Sequence, residues 1–139
     1  MSIHIKACPA RGERLKAFID REFSDYSAQN GVELNYEGFC FAAEDEAQNV
    51  LGVITGRALY NEVHIQDLVV RQGCRKTGLG SMLIGKVEET FRGKGYDVMT
   101  VTTYGFQAPA FYPRFGFRLE FVREAADPRL SKYFFSKRI

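Results

Sequence analysis

Between Asp67 and Ile84 the chain sets Arg75, Lys76, Gly78 and Gly80 where an apolar strand, Leu68-Val69-Val70, gives way to a helix. Glycine has no Cβ, so a second molecule can approach the main chain there. The first N–H groups of a helix have no intrahelical partner and lie at the positive end of its dipole, which makes a helix start an anion site. Arg75 and Lys76 add positive charge at the same place, so the chemistry spelled out is phosphate binding. Two common phosphate motifs fail on named residues. A P-loop needs Gly-Lys-Ser/Thr after its spacer, and here Gly78 is followed by Leu79. A dinucleotide fingerprint needs a third glycine where Leu83 stands.

The pattern that does match is Arg75-x-x-Gly78-x-Gly80, which resembles the Gln/Arg-x-x-Gly-x-Gly/Ala signature of the GNAT N-acetyltransferase superfamily. A second segment, Ala108-Pro109-Ala110-Phe111-Tyr112-Pro113-Arg114-Phe115-Gly116-Phe117, is similar to that family's Ala-x-x-Phe-Tyr-x-x-x-Gly-Phe stretch. The resemblance covers nearly the whole chain and implies one acetyltransferase domain over residues 1–139. It implies acetyl-CoA as co-substrate, no metal, and direct transfer of the acetyl group to a primary amine of a small-molecule or peptide acceptor in a ternary complex. Residues Arg75, Lys76, Thr77, Gly78, Leu79, Gly80 and Ser81 would hold the pyrophosphate. The main chain of Leu68, Val69 and Val70 would pair with the pantetheine arm, and Tyr112 would protonate the coenzyme A thiolate. Many relatives carry an asparagine in the turn before the second segment. This chain has Tyr104-Gly105-Phe106-Gln107, so Gln107 either serves in its place or caps the helix that follows.

An ammonium has no lone pair, so acyl transfer to it needs a base. The resemblance draws that base from the strand before the loop, which offers Glu62, His64 and Asp67. Strand alternation puts His64 and Gln66 on one face and Ile65, Asp67 and Val69 on the other. A bulge near Leu68-Val69-Val70, as the family tends to have, would shift that count. His64 has the better ordinary pKa for work near neutrality, and Asp67 lies closer to the thioester; the choice stays open here.

The elements that must position these groups follow from periodicity. Residues 2–6 alternate as a short strand does, and Leu15, Phe18, Ile19, Phe23 and Tyr26 make an amphipathic helix from about Ala10 to Ala28. Strands are expected over Gly38–Ala43, Val50–Tyr60 (with Gly52 and Gly56 as bulge sites) and Val63–Val70, the last two joined by a tight hairpin at Asn61-Glu62. The next helix buries Leu79, Met82, Leu83, Val87 and Phe91. A strand over Tyr96–Thr103, a short helix over Gln107–Phe115 and two closing strands, Phe117–Arg123 and Ser131–Lys137, complete the order. The fold class is α/β (α+β), a mixed and mostly antiparallel sheet of six to seven strands flanked by helices. An exposed apolar edge on the last strand would favour a homodimer.

Composition bounds the alternatives. In 139 residues, no apolar run approaches the roughly 18 needed to span a membrane, and no signal-peptide core opens the chain. The net charge of +2 is too small to call for nucleic acid. That also weighs against an enzyme acetylating aminoacyl-tRNA. Three scattered cysteines and two separated histidines argue against zinc and disulfides and for a cytoplasmic protein. An acyl-CoA-binding sensor would need the glycine loop, but neither Tyr112 nor a strand base.

Overall fold

The computed structural model describes residues 1–139, and the chain falls into two compact units, Met1–Leu34 and Asn35–Ile139. The first unit holds one helix, α1 (Glu13–Gln29). The strand expected over residues 2–6 does not form: a strand needs a hydrogen-bonded neighbour, and this unit contains none. Nor does α1 bury its whole apolar stripe. Leu15 and Ile19 are half-buried, whereas Phe18, Phe23 and Tyr26 are exposed. One helix in so short a unit has too little apolar surface of its own to cover them.

The second unit is a six-stranded sheet in the order β1-β2-β3-β4-β6-β5. Strands β1 (Glu37–Glu44), β2 (Val50–Leu59) and β3 (Glu62–Val70) form an antiparallel meander. The β2–β3 turn falls one residue earlier than expected, at Tyr60-Asn61. Tyr60 takes a left-handed φ of 56°. Its N–H donates to Asn35 Oδ1 (2.5 Å), and its carbonyl accepts from Asn35 Nδ2 (2.9 Å). The chain then crosses over through α2 (Leu79–Phe91) to β4 (Val98–Tyr104), which pairs with β3 in parallel. A parallel neighbour requires such a crossover. Strands β5 (Arg118–Arg123) and β6 (Lys132–Arg138) finish the sheet antiparallel. The mixed, mostly antiparallel sheet expected from the sequence is therefore present with six strands. No helix is long and apolar enough to cross a membrane.

α2 lies against one face of the sheet. Its Leu83, Ile84, Val87 and Phe91 meet Ile54, Ala58, Val63, Ile65, Met99 and Val101 in the core. Met82, expected among them, is 69% exposed. At 100° per residue it projects away from the 83-84-87-91 stripe. The short helix expected over Gln107–Phe115 is reduced to turns and a single 3-10 turn at Tyr112–Phe115. Pro109 and Pro113 lack the N–H groups an α-helix needs and push the residues before them out of helical geometry. Gly116 ends the turn at φ 88°, a left-handed value. The last strand is not an edge: β6 sits between β4 and β5, so the outer strands are β1 and β5. The homodimer expectation, placed on the last strand, loses its premise.

Candidate active site

Pairing along β3 fixes where the predicted residues point. Thr55 of β2 stands opposite Asp67 and Gly56 opposite Ile65, so Gln66 is an extra residue, a bulge. The bulge lies at Gln66 and not near Leu68–Val70. Gly56 makes room for it: a Cβ at Gly56 would sit 2.0 Å from the His64 carbonyl oxygen. One inserted residue inverts the alternation. Val63, Ile65, Leu68 and Val70 consequently share the α2 face, while His64, Asp67 and Val69 share the opposite one. The expectation that His64 and Asp67 lie on opposite faces is thereby corrected.

Past the bulge, β3 and β4 part. Their ladder ends at Ile65–Val101, although β3 runs on to Val70 and β4 to Tyr104. The side of β3 facing β4 is unpaired from Gln66 onward, which leaves a gap through the sheet.

On the α2 face this gap opens into a cavity of about 770 Å³. Leu68 and Val70 form one wall, Arg75, Lys76, Gly78, Leu79, Gly80 and Ser81 the rim, and Ala108, Phe111, Tyr112, Arg114 and Phe115 the other wall, with Cys74 beside them. No acidic residue lines it. Gly78 is the α2 N-cap, left-handed at φ 85°, with no side chain capping the helix. The first helical bond runs from Met82 N–H to Gly78 carbonyl (3.0 Å), so the N–H groups of Leu79, Gly80 and Ser81 stay free of the helix ladder. Open space lies where a Gly78 Cβ would project, whereas a Cβ on Gly80 would meet Phe111 Cζ at 2.9 Å. The two glycines have different jobs: Gly78 supplies a left-handed turn with open space beside it, and Gly80 admits Phe111. Arg75 Nε donates to Val70 carbonyl (3.1 Å), tying the loop to the end of β3. Arg114, which the sequence reading passed over, lies with its Cζ 5.7 Å from the Phe111 ring centre and 5.9 Å from that of Phe115. Free N–H groups, three cations and apolar walls are a donor set that fits a pyrophosphate on an apolar arm.

Three residues expected to hold the coenzyme fall outside this lining. Val69 points to the other face and is 59% exposed. Thr77 turns inward, its Oγ1 donating to Cys74 carbonyl (2.5 Å). Gln107 uses its Oε1 locally, accepting from Tyr104 N–H (3.0 Å) and Thr103 Oγ1 (3.3 Å), so it holds the turn after β4. Tyr112 is 6% exposed. Phe111, Phe117 and Phe135 enclose its ring, and burial pushes its phenol up to about 12. A second cavity, about 650 Å³, lies around Asn61, Arg118, Glu120, Ser136 and Arg138. It mixes both signs of charge and has no helix start, so it lacks the features of a phosphate site.

On the opposite face a polar chain supports His64. Thr100 Oγ1 donates to Glu62 Oε2 (2.5 Å). Having spent its only proton on a carboxylate, which accepts and cannot donate, that oxygen must accept from His64 Nδ1 at 2.8 Å. The neutral imidazole thus carries its proton on Nδ1 and leaves Nε2 as the basic atom. Partial burial pulls the His64 pKa below its ordinary 6.5, opposed by the Glu62 charge and reinforced by Arg57 and Lys132. Asp67 is exposed and accepts from Thr55 Oγ1 (2.8 Å).

Comparisons with known proteins agree with this fold. A sequence model described as the acetyltransferase (GNAT) family matches residues 5–117. Blasticidin-S acetyltransferase of Streptomyces morookaense is 39% identical over 75 residues, 53% of this chain, and the match spans 55% of that relative's length. A crystal structure of an acetyltransferase from Bacillus cereus ATCC 14579 superposes over 99% of this chain and 98% of its own, at TM-score 0.80 and 26% identity. An acetyltransferase from Bacillus anthracis str. Ames in complex with acetyl coenzyme A shares the fold at TM-score 0.64 and 16% identity, over 73% of this chain and 62% of that one. The chain, by its family match and by its fold, belongs to the acetyltransferase (GNAT) family.

Proposed function

We propose that the protein moves an acetyl group from acetyl-CoA to a primary amine by direct transfer in a ternary complex, the whole chain serving as one acetyltransferase domain. The observation that carries this reading is the parting of β3 from β4 after Ile65–Val101. It begins next to His64, whose Nε2 is left bare, and leaves the β3 main chain unpaired beside the cationic, glycine-rimmed cavity. Arg75, Lys76, Arg114 and the free N–H groups of Leu79, Gly80 and Ser81 bind the pyrophosphate, with Leu68, Val70 and Phe111 along the pantetheine arm. Acetyl-CoA supplies the thioester carbonyl that the amine attacks. The unpaired main chain after Gln66 faces the same gap and offers hydrogen bonds to the arm.

His64 takes the amine proton on Nε2, with Thr100 and Glu62 fixing its tautomer. It is favoured over Asp67, which is exposed and has an oxygen engaged by Thr55 Oγ1, with no partner fixing it toward the gap. Tyr112 keeps its proton at every physiological pH. Its pKa of about 12 exceeds an ordinary thiol's, about 8.5, so complete transfer to the departing sulfur is uphill. Its role is hydrogen-bond donation to that sulfur as charge develops. The test is coenzyme A release with acetyl-CoA plus blasticidin S, the acceptor in the relative's name, and simple primary amines, with the product mass confirming N-acetylation. Acetylation of at least one amine, lost in His64→Gln, is expected. Tight acetyl-CoA binding with no acetylated amine would instead favour a sensor.

A further inference from the structure

The face that carries His64 continues across the sheet into an aromatic and cationic patch. Register places Tyr104 beside Lys132 and Lys132 beside Arg123, with Thr102, Phe134 and Phe121 in the next row. Thr100, which is bonded to His64, stands one row further along β4. Lys132 Nζ lies 5.4 Å from the Phe134 ring centre and 5.9 Å from that of Tyr104, and Arg123 Cζ lies 5.5 Å from Phe134. Aromatic faces hold both cations in place. Neither has an acidic partner: the ion pairs of the molecule use Lys16, Arg92, Arg129 and Lys137. Two positioned, unneutralised cations beside a reaction site are a receptor for negative charge. With strands ~4.8 Å apart and rows ~6.8 Å apart, the Lys132 backbone stands two strands and two rows from His64, roughly 17 Å away, and the ~6 Å reach of its side chain back over Phe134 brings the ammonium to the order of 10 Å from the imidazole.

We propose that Lys132 and Arg123 bind an anionic group of the acceptor, so that the substrate is an amine bearing a carboxylate or phosphate on the order of 10 Å from the reacting nitrogen. This rests on the reading of the His64 face as the acceptor side. A polar anchor of this kind orients the amine toward Nε2 and discriminates against neutral analogues, because desolvated cations left unpaired are costly.

The full chain is assayed for coenzyme A release with 8-aminooctanoate, its methyl ester and 8-aminooctyl phosphate. One charged acceptor should exceed the ester in kcat/KM by about tenfold, the worth of one charge-assisted hydrogen bond, chiefly through KM. In the double variant Lys132→Met, Arg123→Gln that ratio should collapse toward unity, and the better charged acceptor identifies the anion. Equal rates for all three, or a ratio that survives in the variant, overturns the proposal while leaving the acetyltransferase reading intact. If none turns over, NMR titration with 8-aminooctanoate decides. Amide shifts at Lys132 and Arg123 that the ester does not reproduce support the anion site, and their absence contradicts it. Failure to bind acetyl-CoA counts instead against the acetyltransferase reading.

Discussion

A single hydroxyl selects the basic atom of His64. Thr100 gives its proton to Glu62 and so must accept from Nδ1, which leaves Nε2 bare. His64→Gln should lower kcat by about 10²–10⁴-fold, the usual worth of a positioned base. Because burial holds the His64 pKa below 6.5, the base is already free at neutrality. In wild type, kcat/KM should rise with pH through a value under 6.5 and stay flat above it. Glu62 opposes that depression, so Glu62→Gln should move the acid limb to still lower pH; a limb moving upward would contradict the assignment. Tyr112, at about 12, should impose no loss of rate between pH 8 and 10. Tyr112→Phe keeps the enclosed ring and so should keep the fold, while lowering kcat by roughly tenfold or more for one lost hydrogen bond in the transition state. Unchanged kcat in Tyr112→Phe would remove that role.

At the scale of elements, glycines set the geometry. Gly56→Ala would drive a methyl group against the His64 carbonyl oxygen. Two backbones would have to separate at the bulge, so a stability loss of about 3 kcal/mol or more is expected from denaturant unfolding, with activity falling alongside. Gly80→Ala meets only the outer end of the Phe111 ring, which can shift. About 1 kcal/mol of stability and a clear loss of acetyl-CoA affinity should follow. The loop from Arg75 to Ser81 was legible in the sequence because its chemistry is local: cations, glycines and a helix start within seven residues. The bulge was not, since it depends on Gly56 meeting a partner across the sheet. The same holds for Thr100, whose contact with His64 is made 36 residues away. The helix expected over Gln107–Phe115 does not form for a local reason, the two prolines within it. The outward turn of the Val69 side chain and the inward turn of Thr77 were not legible, because a motif match does not say which way a side chain turns.

For the molecule as a whole, the sheet works as a partition. One face carries α2 and the cationic cavity, the other carries His64, Asp67 and the Lys132–Arg123 patch, and β3 parts from β4 between them. The order from β1 to β6 was legible in the sequence, although the strand over residues 2–6 and the helix over Gln107–Phe115 do not form. The sequence did not show that the last strand inserts between β4 and β5, because strand order in space is set by pairing and leaves no local pattern. Binding of acetyl-CoA in this cavity can be measured by calorimetric titration of the full chain, with Gly78→Glu and Gly93→Glu beside the wild type. Both glycines are left-handed with open space outside them, at φ 85° and φ 76°, but only Gly78 faces the cavity. The two variants therefore add similar strain and equal charge at opposite ends of α2. Micromolar binding, worth about 8 kcal/mol, is expected in the wild type and in Gly93→Glu and should vanish in Gly78→Glu. No binding in the wild type, or binding untouched by Gly78→Glu, would rule out this cavity as the acetyl-CoA site.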